Sequence, residues 1–131
     1  MIRRLRKSEN GQALVEMALV LPLFFLLLFG VIEMGRVGYA YITVSNAARE
    51  GGRIATIGGT DLAINSSIKN AAVSLDPASL TITITPSQSQ RQSGQGVTIQ
   101  VSYPVQLVIP LISNVISNPV VVSASVVMRQ E

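Results

Sequence analysis

Residues 17–32 read Met-Ala-Leu-Val-Leu-Pro-Leu-Phe-Phe-Leu-Leu-Leu-Phe-Gly-Val-Ile, without a charge. Extended back to Ala13, the run is about twenty residues, roughly 30 Å of helix at ~1.5 Å per residue, which matches the hydrocarbon thickness of a bilayer. A segment in lipid must satisfy its own backbone hydrogen bonds, so such a run has to be a helix. Arg3, Arg4, Arg6 and Lys7 precede it, and only Glu33 and Arg36 follow at once. The excess of Lys/Arg on one side predicts a cytoplasmic N-terminus, with the remainder of the chain outside the cytoplasmic membrane. A cleavable secretory signal would have a shorter apolar stretch ending in a small-residue site; here the run flows into Glu33-Met34-Gly35-Arg36. A plain signal anchor accounts for the length and the basic leader.

Glu16 is harder to place. A carboxylate at the mouth of a membrane helix costs a few kcal/mol unless it is partnered or near the interface, which makes it a functional residue by default. Pro22, inside the run, frees the carbonyl of Ala18 and predicts a bend.

The rest of the composition narrows the function classes. The 131 residues leave room for one small domain beside a membrane helix. Aromatic residues make up 5% and Trp is absent, so the core must be aliphatic. The sequence pI is about 9.8, but beyond Gly11 acidic and basic residues balance. The basic excess belongs to the leader, is a topology signal, and argues against nucleic-acid binding. There is no Cys and no His, which excludes disulfides, thiolate zinc sites and His-based acid–base chemistry. Glu50, Asp61, Asp76 and several Ser form no nucleophile–base pattern, and no glycine-rich phosphate loop is present. The sequence therefore predicts no enzyme, no catalytic residue, no metal and no cofactor.

From Gly11 to about Ala55 the chain resembles the TadE-like family, minor pilins (pseudopilins) of tight-adherence, Flp-type pilus systems. The resemblance is carried by Gly11-Gln12-Ala13-Leu14-Val15-Glu16, Leu19-Val20-Leu21-Pro22-Leu23, Gly30-Val31-Ile32-Glu33-Met34-Gly35-Arg36 and Asn46-Ala47-Ala48-Arg49-Glu50-Gly51. It covers about a third of the chain. It implies cleavage between Gly11 and Gln12 by a membrane-embedded aspartyl prepilin peptidase, leaving Glu16 as the fifth mature residue. In type IV pilins the equivalent Glu is thought to pair with the terminal amine of a neighbouring subunit during assembly. One departure stands out: the small Flp pilins commonly have Tyr after the Glu, where this chain has Met17.

Beyond the bilayer, Val37, Tyr41, Val44, Ala48, Gly51 and Ala55 recur at helical spacing and predict that the helix runs on to Ile57. Small residues four apart, Ala47, Gly51 and Ala55 with Ala48 and Gly52, permit close packing, either against the chain's own sheet or against another pilin. Gly58-Gly59 ends the rod. Thr60 or Asp61 caps a second helix with Ile64, Ile68, Ala71 and Leu75 inward, stopped by Asp76-Pro77. Three alternating segments follow, with Leu80, Ile82 and Ile84, then Val97, Ile99, Val101 and Tyr103, then Val120, Val122, Ala124, Val126 and Met128 on one face. The polar stretch 86–96 reads as a mobile hairpin loop. Two readings of Pro104–Pro119 stay open: it covers the sheet edge, or it forms an exposed apolar patch for a partner or the bilayer surface.

The expected fold is α+β and pilin-like: a long N-terminal helix, a short second helix and a small antiparallel sheet. Its parts are a basic leader (1–11), a helix (12–57, membrane part about 13–32) and an extracytoplasmic domain (58–131). The expected function is a pseudopilin-like minor subunit of a bacterial pilus assembly system, processed by prepilin peptidase. Its partners would be other pilins or assembly proteins and the lipid bilayer of the inner membrane, with no nucleic acid. The alternative is a permanently anchored single-pass protein whose outer domain binds a partner subunit or a surface.

Overall fold

The computed structural model describes residues 2–131, with side chains from Glu9 onward; Arg3, Arg4, Arg6 and Lys7 therefore lie outside the described side chains. In chain order the elements are α1 (Ile2–Thr56), α2 (Asp61–Ala71), β1 (Thr81–Thr85), a 3-10 turn (Gln88–Gln90), β2 (Gly96–Val105), α3 (Pro110–Ser113) and β3 (Val120–Arg129). The strands form one antiparallel sheet in the order β1-β2-β3. The class is α+β, with the long apolar helix, the short second helix and the three-stranded sheet that the sequence predicts. The chain divides into two compact units, one ending at Met34 and the other Gly35–Glu131.

The first unit is a helix alone. It runs without interruption through Pro22. Its apolar side chains, among them Leu14, Leu19, Leu23, Leu27 and Val31, are exposed. Phe25 is the centre of a short aromatic ladder, edge-on to Phe24 with centroids 5.9 Å apart and stacked on Phe29 at 6.0 Å. A helix this apolar with its large hydrophobic side chains exposed needs lipid or a partner around it. It is long and apolar enough to cross a membrane.

The second unit has a core of its own. The outer part of α1 contributes Ala40, Val44, Ala47, Ala48 and Ala55. These fall at helical spacing on one face, and α2 and the sheet cover them with Ile64, Ile68, Val97, Ile99 and Val101. Each fully buried Ile or Val contributes about 1.5–3 kcal/mol relative to exposure. The expected stripe needs one correction: Tyr41 is exposed, and Ala40 takes the inward place. One residue turns the helix by ~100°, which carries Tyr41 off the face that Ala40, Val44 and Ala48 share.

Helix ends follow local chemistry. α1 closes in a Schellman motif, with Gly59 N–H donating to Ile54 O at 3.0 Å and Gly58 N–H to Ala55 O at 3.1 Å. Gly58 has φ +74°, a conformation that side chains disfavour. Thr60, rather than Asp61, caps α2, its hydroxyl accepting from Ala63 N at 3.2 Å. The helix stops at Ala71, before Asp76-Pro77, and Ala72 is buried where Ala71 was expected. Ile64, Ile68 and Ala72 keep a strict four-residue step, which sets the buried line.

In the sheet the period-two pattern holds. β2 is central and buries Val97, Ile99 and Val101; its register sets Ile99 against Ile84 and Val126, and Val101 against Ile82 and Ala124. The Thr side chains of β1 face outward.

The polar stretch 86–96 differs from its expectation as a mobile loop. Arg91 is its only charged residue, and its side chain is 3% exposed and ion-paired with Asp61. The guanidinium also donates to Gly59 O at 2.9 Å and to Pro86 O at 3.2 Å. Asp61 and Gln88 exchange a further pair of bonds: Asp61 N–H donates to Gln88 Oε1 at 3.1 Å and Gln88 N–H to Asp61 Oδ2 at 3.3 Å. Burial lowers the Arg91 pKa from its ordinary value. The pair and the two carbonyls compensate that desolvation and pin the loop to the turn between α1 and α2.

Candidate functional site

Gly11, Gln12 and Glu16 lie inside α1 and are exposed. Gln12 Nε2 donates to Glu16 Oε1 at 3.1 Å, one helical turn apart. The carboxylate keeps its second oxygen and remaining lone pairs for other donors. A Cβ built on Gly11 would meet nothing within 4 Å. Space within this chain therefore does not require glycine there.

The small residues of the outer helix differ. A Cβ on Gly51 would lie 2.6 Å from Ile68 Cγ1, and one on Gly52 would lie 2.8 Å from Met128 Sδ. Adjacent glycines thus admit two different neighbours, α2 and β3. Ala47, Ala48 and Ala55 are fully buried beside them. All five small residues are occupied by the chain's own domain.

Two features had been given no role from the sequence. Glu33, at the end of the apolar run, is 4% exposed, the only buried carboxylate among the described residues. The Asp61–Arg91 pair is the second. Its sequence signal is faint: a lone Arg in a Ser/Gln-rich stretch and an Asp just inside a helix start, thirty residues apart.

A shallow groove between α1 and α2 is lined by Asn46, Glu50, Ser66, Ser67 and Asn70 among others. Its carboxylate, Glu50, sits 3.4 Å from Arg53 as an exposed helical pair, worth a few tenths of a kcal/mol. Among the described residues, no three His, Cys, Asp or Glu gather as metal ligands.

An apolar helix of spanning length is joined to a compact α+β domain, an arrangement consistent with a membrane-anchored subunit. The family model described as TadE-like protein matches residues 11–53, about a third of the chain and the stretch whose motifs carry the resemblance. That family points to a minor subunit associated with the Tad pilus. No curated protein and no solved structure gives a significant match.

Proposed function

We propose that the chain is a pseudopilin-like minor subunit needed to assemble a tight-adherence (Flp-type) pilus, with an inner-membrane span at about residues 13–32. Prepilin peptidase would cut between Gly11 and Gln12, and Glu16 would serve assembly. The supporting observation is that the TadE-like match begins at residue 11 and leaves the basic leader outside it. The leader favours a cytoplasmic N-terminus and an extracytoplasmic C-terminal domain.

The chemistry of the site suits this role. Cleavage would turn the Gln12 amide nitrogen into an α-amine, about 6 Å along the helix from Glu16. An amine and a carboxylate at similar bilayer depth are each costly alone, and pairing between subunits relieves both. A neighbour displaced by about one helical turn would bring its amine level with Glu16. Before the cut, Gln12 Nε2 occupies one carboxylate oxygen. The open space around Gly11 would admit a protease to the backbone, although α1 must unwind locally to present an extended peptide.

Glu16→Ala should leave membrane insertion intact and abolish piliation in cells that carry the assembly system. Normal piliation in that variant would reduce Glu16 to an interfacial residue and remove the central support for this role.

A further inference from the structure

The segment between β2 and β3 carries apolar side chains that the core of the outer domain does not use. From Gln92 to Met128 the chain carries no charge. Within this stretch α3 and its C-terminal flank expose Leu111, Val115 and Ile116, with Leu111 64% and Val115 86% exposed. Only Leu107 of the segment turns fully inward. It is held by Asn118, whose Oδ1 accepts from Leu107 N at 3.0 Å and whose Nδ2 donates to Leu107 O at 3.4 Å. The side chain of Asn118 thus fastens the base of the loop, while Leu111, Val115 and Ile116 stay exposed.

The position of this tip follows from the register. Met128 lies against Gly52, and Glu131 N–H donates to Thr56 O at 3.0 Å, so the C-terminal end of β3 meets the outer end of α1. Val120, paired with Val105, lies at the opposite end of β3, about 27 Å away at ~3.3 Å per residue. The same distance along α1 is about 18 residues, which leads back to the Gly35 end of this domain. The chain's three tyrosines, Tyr39, Tyr41 and Tyr103, belong to the same end, and Tyr39 and Tyr41 are exposed. Tyrosine is the residue of membrane–water interfaces. Covalent connection alone keeps Ile32, the last residue of the apolar run, within about 11 Å of Gly35.

We infer that the loop around α3 is a second membrane contact, dipping Leu111, Val115 and Ile116 into the boundary between headgroups and acyl chains. A loop without charge, at the end of the domain that continues into the apolar helix, is suited to lipid. Interfacial binding of this kind scales with the apolar area buried. It would hold the outer domain against the bilayer until extraction into a filament frees the tip. The inference rests on reading residues 13–32 as a membrane span.

The absence of native Cys makes the test direct. Full-length protein in phosphatidylcholine/phosphatidylglycerol vesicles is labelled with an environment-sensitive fluorophore at Leu111→Cys or Val115→Cys, with Ser93→Cys and Leu27→Cys as controls. Circular dichroism checks that each labelled variant is folded. Labels at 111 and 115 should be blue-shifted and lose emission with shallow doxyl lipids, the label at 27 with deep ones, and the label at 93 with neither. Quenching at 27 with water-like emission at 111 and 115 would overturn the inference and leave the span intact. Blue-shifted emission at 111 that ignores doxyl lipids and grows with protein density would mean a protein contact, which also overturns it. No quenching at 27 would overturn the span reading, and this inference with it.

Discussion

The two ends of the long helix treat their glycines in opposite ways. In the apolar helix, Gly11 and Gly30 face open space, whereas Gly51 and Gly52 in the outer domain are filled by Ile68 and Met128. The same contrast runs through the large side chains: Leu and Phe of the inner helix are exposed, while Ile64, Ile68 and Ile99 are sealed. The core of the outer domain is packed from its own sequence. The inner helix leaves its surface, and the remaining capacity of Glu16, to be satisfied by something else. Small residues in one helix therefore carry two meanings, and only their neighbours tell them apart.

If that contrast holds, a truncation in the outer domain should cost far more than one in the helix. Ile68→Ala should destabilise the outer domain by about 2–5 kcal/mol through the lost side chain and the cavity against Gly51, read from denaturant melts of the detergent-solubilised chain. Gly51→Val should cost about 1–3 kcal/mol by overpacking against Ile68. Arg91→Ala should follow at about 1–3 kcal/mol, since two carbonyls and Asp61 lose their donor. That is below the figure for a fully enclosed pair, because Asp61 remains 37% exposed. A double-mutant cycle with Asp61→Asn should show coupling between the two residues; additive effects would mean that the ion pair is incidental. The smallest effect is expected from Leu27→Ala, which should leave the melting of the outer domain unchanged within about 0.5 kcal/mol. A large loss there would erase the distinction between the units.

How much of this was legible depended on whether the signal was local. The Thr-Ile alternation of β1 is a period that only a half-buried strand satisfies, and β2 and β3 repeat it with Val. Gly58-Gly59 and Thr60 are local signals, and both resolved as the cap chemistry they suggest. Tyr41 and Ala71 were misplaced for a common reason. Each neighbours the residue that is inward, and a one-residue error in helical phase is invisible until a partner element fixes it. Arg91 could not be read at all: its partners, Gly59 and Asp61, lie about thirty residues away, and composition made its loop look unstructured. Gly11 and Glu16 were legible as a pattern, but their packing shows only that they are exposed and that Gln12 bonds Glu16. Nothing within a single chain can show what a neighbouring chain supplies.

That leaves the proposed boundary between a removable leader and a mature subunit, which intact mass measurement of the protein extracted from membranes tests most directly. The account predicts a chain that begins at Gln12, with residues 1–11 missing, in cells that contain the prepilin peptidase. A chain retaining residues 1–11 in those cells would contradict it and make this a permanently anchored protein.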